Sequence, residues 1–154
     1  MLDMIMFELR SQYKNMYAMQ SFVQRVLARA WLLWGLSLTQ WGLITRDRSF
    51  YEGAIGSFSR AAAVCPAFAE AYLRRGIIRS RELGQHEHAI GDLDTALHYA
   101  PRLAEAYLQR GLIQRFHGDP QAAIVDLRQF VALTPGSSWR AEAERQIAQI
   151  EQGL

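Results

Sequence analysis

Few side chains in this sequence of 154 residues stand where covalent chemistry would need them. Cys65 is the single cysteine, and the proline that follows it favours a packing role at a turn over a nucleophilic one. The sequence contains neither a serine in a Gly-x-Ser-x-Gly turn nor a glycine-rich phosphate loop. We therefore predict a protein that is not an enzyme and that has no catalytic residues and no cofactor.

Composition and charge narrow the class of protein further. Half of the residues are hydrophobic and the net charge is only +2, which excludes a disordered chain. One cysteine excludes a disulfide scaffold and suits a reducing, cytoplasmic location. Because 17 basic residues are balanced by 15 acidic ones and no basic run is longer than two residues, we expect no nucleic-acid partner.

The longest membrane-like stretch is AWLLWGLSLTQWGLIT, residues 30–45. Its 16 residues fall short of the roughly 20 that a spanning helix needs. Basic residues flank it on both sides, namely Arg25, Arg29, Arg46 and Arg48. The sequence therefore leaves open a peripheral or anchored contact with the cytoplasmic membrane through residues 1–45.

Several segments of the chain are near copies of one another. AEAYLRRGII at 69–78 returns as AEAYLQRGLI at 104–113, an offset of 35 residues. AIGDL at 89–93 returns as AIVDL at 123–127, an offset of 34, and AIGSF at 54–58 fits the same frame. Such a period indicates a repeat protein. The predicted units are residues 35–68, 69–103 and 104–137, which together form the repeat region 35–137.

Each unit has the pattern of two helices joined by a turn. In the third unit, periodic apolar residues predict one helix over 104–117 and a second that ends near Leu133. Gly118 is expected to take a left-handed conformation, Asp119 to cap the second helix and Pro120 to begin it. A proline closes each unit in turn: Pro66, Pro101 and Pro135.

The period and these fixed positions resemble the tetratricopeptide-repeat (TPR) family. That family typically has an aromatic and a small residue in the first helix, alanines around an apolar residue in the second, and a closing proline. The middle unit supplies all six: Tyr72, Gly76, Ala89, Leu93, Ala96 and Pro101. The third unit departs at Phe130, where alanine is usual, and the first departs at Leu38, where an aromatic is usual. The resemblance implies an all-α, right-handed solenoid of three helix-turn-helix units that binds other proteins.

Two arginines and two aspartates recur at matching positions of the second and third units. Arg75 corresponds to Arg110, and Asp92 corresponds to Asp126. The first unit lacks both partners together, with Trp41 and Ser57 in their places. We therefore predict structural ion pairs Arg75–Asp92 and Arg110–Asp126 between the two helices of a unit.

The histidines are the best candidates for metal ligands. His86 and His88 flank the turn of the second unit, and His117 lies at the matching turn of the third. Neighbouring turns of such an array stack, so the three imidazoles could meet. No pattern of carboxylates completes a ligand set, so we predict no metal site.

The resemblance also implies a concave groove lined by the first helices of successive units. Residues on its floor lie three or four apart, and they are Thr39, Leu43, Arg46, Leu73, Ile77, Leu108, Leu112 and Arg115. Neighbouring positions add Arg74, Arg81 and Gln109. The floor is predicted to be aliphatic, with arginines beside it.

This groove composition predicts the class of partner. Family members that clamp an acidic chaperone peptide carry lysine and asparagine where this chain has leucine and isoleucine, so that function is not carried over. An aliphatic floor instead suits an apolar or amphipathic segment with acidic residues. We predict a non-enzymatic adaptor, scaffold or chaperone-like module, with a membrane-associated assembly subunit as the alternative.

The two ends of the chain lie outside the repeats. Residues 138–154 are expected to form a capping helix, because its apolar residues recur at helical spacing, namely Trp139, Ala143, Ile147 and Ile150. Residues 1–34 are predicted to be a helical extension, with at least one extra helix packed on the open N-terminal face. With no glycine or proline before Gly35, this helix could also continue unbroken into the first unit. Filling of the groove by the methionine-rich residues 1–19, contact with a membrane or partner, and a homo-oligomer stay open.

Overall fold

A computed structural model describes the backbone of residues 2–153, and the side chains of these residues except 2–5, 7–11, 13 and 15. The described chain forms seven α-helices: α1 (Leu2–Thr45), α2 (Arg48–Val64), α3 (Ala69–Arg81), α4 (His86–Tyr99), α5 (Ala104–His117), α6 (Pro120–Leu133) and α7 (Arg140–Glu151). Within residues 2–153, no helix combines the length and apolarity that crossing a bilayer requires.

The helices pack as antiparallel neighbours in chain order. The C-terminal part of α1 packs on α2, α3 packs on α4, and α5 packs on α6. These hairpins stack because α2 also contacts α3 and α4 also contacts α5, while α7 covers α6. The arrangement is the all-α solenoid that the sequence predicts.

Local sequence signals explain where the helices of the third hairpin begin and end. The carboxylate of Asp119 accepts a hydrogen bond from the backbone N–H of Gln121 at 2.8 Å, and Pro120 begins α6. Gly118 does not take the predicted left-handed conformation, since its φ is −151°. Its N–H instead bonds to the carbonyl of Gln114 at 3.0 Å, and the chain passes directly into the Asp119 cap.

Glycines let the two helices of each hairpin approach closely. A Cβ added at Gly35 of α1 would lie 2.5 Å from the Phe58 ring of α2. The same addition at Gly76 would lie 3.1 Å from the backbone oxygen of Ala89, and at Gly111 it would lie 3.1 Å from Leu127. Each hairpin therefore has a glycine in its first helix at the point where the second helix packs against it.

The core runs continuously from one hairpin to the next. Leu73 of α3 is fully buried together with Leu93 of α4 and Ala106 of α5, so consecutive hairpins share one apolar cluster. At the C-terminal end, Ala143 of α7 is 1% exposed and packs against Leu127 and Phe130. The α6 side of the last hairpin is thus covered by α7.

The N-terminal extension differs from the expected cap. α1 is one unbroken helix of 44 residues, so no separate helix folds back onto the N-terminal face within the described chain. Met6, Met16 and Met19 are each about half exposed or more, so these methionines do not fill the groove either; Met1 and Met4 lie outside the described side chains. The helix continues because no residue before Gly35 interrupts it.

The two predicted ion pairs are present inside the hairpins. Nη2 of Arg75 lies 2.6 Å from a carboxylate oxygen of Asp92, and Nη2 of Arg110 lies 2.6 Å from one of Asp126. The two aspartate side chains are 5% and 4% exposed, so each carboxylate is enclosed with its arginine. Arg79 gives Asp92 a second cationic partner at 2.9 Å. Paired charges of this kind fix the register of the two helices.

The same arginines also connect each hairpin to the one before it. Nη1 of Arg75 donates to the hydroxyl of Ser59 in α2 at 2.9 Å. Nη1 of Arg110 donates to the carboxylate of Asp94 in α4 at 2.5 Å. Hydrogen bonds from Arg110 to Asp126 and Asp94 raise the pKa of its guanidinium above the ordinary arginine value. Ser59 and Asp94 hold the same relative position, so the contact recurs along the array.

Two alanine substitutions test the close approach at Gly35. Gly35→Ala should lower the free energy of unfolding by roughly 1–3 kcal/mol, because the added methyl group meets the Phe58 ring. Gly56→Ala is the matched control, since nothing lies within 4 Å of its added Cβ. That control should raise stability by roughly 0.5–1 kcal/mol through helix propensity. Urea unfolding followed by circular dichroism measures both, and a Gly35→Ala protein as stable as Gly56→Ala would contradict the packing described.

A second pair of variants tests the buried ion pairs. Asp126→Ala should cost about 2–4 kcal/mol of unfolding free energy, because Arg110 loses its enclosed partner. Glu151→Ala removes a partner from the Arg128–Glu151 pair, whose side chains are 65% and 46% exposed, and should cost less than about 1 kcal/mol. The double variant Arg110→Met/Asp126→Leu should recover part of the loss. If Asp126→Ala and Glu151→Ala lowered the free energy of unfolding equally, burial of the Arg110–Asp126 pair would make no difference to stability.

Candidate functional site

A cleft of about 760 Å³ lies on the array where α5 faces the C-terminal end of α3 and the segment before α7. Its floor is apolar, with Leu108, Leu112 and Phe116 of α5 arranged one turn apart. Trp139 forms the wall contributed by the segment that leads into α7. Polar side chains surround this floor: Ser80, Arg81, His86, Glu105, Gln109, His117, Thr134 and Ser137.

Four of the predicted groove residues line this cleft, namely Arg81, Leu108, Gln109 and Leu112. Leu108 and Leu112 are half-buried, and Arg81 is exposed at the edge. Leu108 also packs against the cluster around Ala143 of α7, so the capping helix supports one side of the floor. The described cleft is therefore centred on one helix and its neighbours and does not follow all three units.

The prediction that Leu73 lines the groove is wrong. Its side chain is completely buried in the cluster that joins the second and third hairpins, and no surface remains for a ligand. Ile77 is half-buried and packs against the same cluster. Both residues point toward α4 and α5 because the following hairpin covers this side of α3.

Two of the predicted groove arginines are held by neighbouring helices. Nε of Arg74 lies 2.6 Å from Glu70 and its Nη1 lies 3.1 Å from Glu105 of α5, so two carboxylates share its charge. Nη2 of Arg115 donates to the side-chain carbonyl of Gln149 in α7 at 2.9 Å. Arg74 therefore connects two hairpins and Arg115 positions α7; neither lines the cleft.

The predicted residues of the first unit also lie apart from the cleft. The hydroxyl of Thr39 donates to the backbone carbonyl of Gly35 at 2.9 Å within α1. Leu43 is 53% exposed near the end of the same helix, and Arg46 follows it with a left-handed φ of 57°. The first hairpin therefore contributes no wall to the cleft.

Two aromatic residues that line the cleft are not part of the groove predicted from the sequence. Phe116 and Trp139 are 63% and 59% exposed although they are large and apolar. Phe116 lies four residues after Leu112, so the spacing that identified the floor could also have identified it. Trp139 was assigned to the face of the capping helix, and only the position of α7 brings it to the cleft.

Two of the three candidate histidines meet at the edge of the cleft. The rings of His86 and His117 are stacked, with centroids 3.6 Å apart and planes 7° apart. Nδ1 of His86 also lies 3.3 Å from the hydroxyl of Ser80. His88 lies elsewhere, in a shallow hollow with Glu87 and Asp92. Among the described residues, no group of three or more histidine, cysteine or acidic side chains could hold a metal ion.

This chain is similar to known proteins in its structure, whereas its sequence matches no family model. No family model matches the chain, and no curated protein matches it. Solved structures do match. The second TPR domain of human RPAP3, in complex with the HSP70 peptide SGPTIEEVD, has a TM-score of 0.68 at 21% identity and covers 85% of this chain and 98% of that one. The Arabidopsis OM64 TPR domain has a TM-score of 0.72 at 18% identity and covers 85% of this chain and 99% of that one.

A third solved structure is also similar to this chain. The TPR2B domain of yeast Sti1, in complex with pHsp70, has a TM-score of 0.62 at 16% identity and covers 88% of this chain and 99% of that one. All three structures are TPR domains, and at least 98% of each aligns with this chain. The resemblance inferred from the repeats is therefore confirmed at the level of structure: this chain has the tetratricopeptide-repeat fold.

Proposed function

We propose that this chain is a non-enzymatic protein-interaction module that holds an apolar or amphipathic peptide segment in the cleft along α5. The observation that carries this proposal is an apolar floor that ends at the exposed Phe116 and is bordered by the exposed Trp139. Large aromatic side chains left exposed around a cleft are typical anchors for a binding partner. An adaptor or scaffold role, in the cytoplasm, fits this surface and the single cysteine.

The charges around the floor favour a partner that has an acidic residue beside its apolar one. Arg81 is exposed at the edge of the cleft, and no ion pair between described residues includes it. Glu105, the acidic side chain of the lining, is bonded to Arg74. A partner carboxylate near Arg81 would therefore gain an opposite charge without displacing an internal pair.

Similar folds support peptide binding as the general activity. The RPAP3 domain holds SGPTIEEVD, and the Sti1 domain is in complex with pHsp70. In this chain, however, Leu108 and Leu112 make the floor aliphatic, so apolar side chains of the partner should contribute most of the affinity. A chaperone-like role would then depend on an apolar segment of the partner and not on an acidic tail alone.

Peptide selection tests the proposal directly. Peptides chosen by phage display against the full chain should contain a large apolar residue followed or preceded by an acidic one. Their affinity, measured by fluorescence anisotropy, should fall about 30-fold or more for Phe116→Glu, because an anchoring pocket becomes charged. Val125→Glu is the matched control, since Val125 is 61% exposed on α6 and does not line the cleft, and it should bind as the wild type does.

Two further measurements define the partner chemistry. Arg81→Glu should weaken peptides with an acidic residue about tenfold and leave neutral peptides unchanged. SGPTIEEVD, used as a probe, should bind at least about tenfold more weakly than the selected apolar peptides. Selected peptides that bind Phe116→Glu and the wild type equally would contradict the proposed cleft.

A further inference from the structure

The face of α1 that turns away from α2 carries a long apolar stripe. Residues of α1 that pack on α2, such as Ala28, Gly35 and Gly42, are buried and recur every seven positions. The opposite side carries large apolar side chains that are 49% to 67% exposed, among them Met19, Phe22, Val26, Leu33, Trp34 and Trp41.

Much of this stripe lies beyond the hairpin array. Ala28 is buried against Ala61 and Ala62 of α2 and Ala71 of α3, whereas every described side chain before it is exposed. Residues 2–27 therefore project from the array as a helix roughly 39 Å long, at 1.5 Å per residue. Most of the stability of a protein helix comes from packing of its apolar face, so a projecting helix whose apolar stripe is uncovered lacks that contribution until a partner covers it.

The distribution of charged residues along α1 indicates the chemistry of that partner. Between Glu8 and Asp47 the sequence contains five basic residues and no acidic one. Lys14, Arg25 and Arg29 are exposed, and none of them forms an ion pair with another described residue. The remainder of the chain has a net negative charge, because the overall charge is only +2. The stripe thus lies on the one strongly basic segment of the protein.

We propose that α1 binds an anionic lipid surface and lies in its plane. Val26 and Leu33 would enter the boundary between headgroups and acyl chains, and Trp34 and Trp41 would lie at headgroup level. Arg29 is one helical turn from both Val26 and Leu33, so its guanidinium would reach lipid phosphates at the edge of the stripe. A second copy of α1 would instead bring one basic segment against another, which disfavours a dimer through this face.

This surface is independent of the peptide cleft. α1 contributes no residue to the cleft lining, which comes from residues 80–139. One molecule could therefore hold a peptide along α5 while α1 lies on lipid. A failure of lipid binding would leave the proposed peptide binding unaffected, and the reverse is also true.

Vesicle flotation with the full chain tests the inference. Vesicles of about 70% phosphatidylcholine and 30% phosphatidylglycerol should bind the protein at least about tenfold more tightly than pure phosphatidylcholine vesicles. The tryptophan emission of the bound protein should shift to the blue as Trp34 and Trp41 leave water. Added salt should weaken the binding.

Variants on exposed positions separate the apolar and basic contributions. Val26→Glu/Leu33→Glu should abolish flotation, and Arg25→Glu/Arg29→Glu should reduce the affinity about tenfold or more. Val125→Glu, an equally exposed apolar position on α6, should float as the wild type does. Far-UV circular dichroism and binding of a peptide selected for the cleft should be unchanged in all three variants, which shows that the array is intact.

Three results would overturn the inference. The first is a wild-type protein that stays in the aqueous fraction with anionic vesicles. The second is a Val26→Glu/Leu33→Glu protein that floats as well as the wild type. The third is a wild-type dimer in buffer, separated by these same substitutions and unable to bind vesicles, which would identify a second copy as the occupant of the stripe.

Discussion

The close approach of the two helices within each hairpin is the constraint on which the rest of the structure depends. At Gly76 and Gly111 an added Cβ would lie 3.3 Å and 3.2 Å from the Cβ atoms of Asp92 and Asp126. The arginine that pairs with each aspartate immediately precedes the glycine in sequence. A larger residue at either position would push the second helix away and separate the buried pair. Packing and electrostatics therefore depend on the same contact.

The position of the cleft follows from how the hairpins stack. Arg75 and Arg110 each reach a side chain in the second helix of the preceding hairpin, so the angle between hairpins is fixed by directional bonds as well as by apolar contact. Arg74 adds a bridge from α3 to α5. With these helices held in place, the apolar side of α5 faces the end of α3. α7 then completes the wall through Trp139.

The sequence predicted features that depend on local pattern or on one repeat. The bounds of α5 and α6 and the Asp119 cap follow from signals within a single unit. Both arginine–aspartate pairs lie within one unit and follow from residues that recur at matching positions of two units. The misassigned groove residues depend on contacts between units. Leu73 is buried in a cluster that includes residues of α5 as well as α4, and Arg115 is bonded to α7. The contacts with α5 and α7 cannot be read from positions within one repeat. The sequence also left open whether the N-terminal part of α1 packs on the array or projects from it, because its apolar pattern suits both.

We expect a peptide to bind along α5 and apart from α1. Titration of the isotopically labelled protein with a peptide selected for the cleft, followed through backbone amide resonances, tests this claim most directly. Chemical-shift changes should concentrate in residues 105–117 and 137–140, and the resonances of residues 16–34 should stay unchanged. Shifts confined to residues 16–34, with α5 unaffected, would contradict this claim.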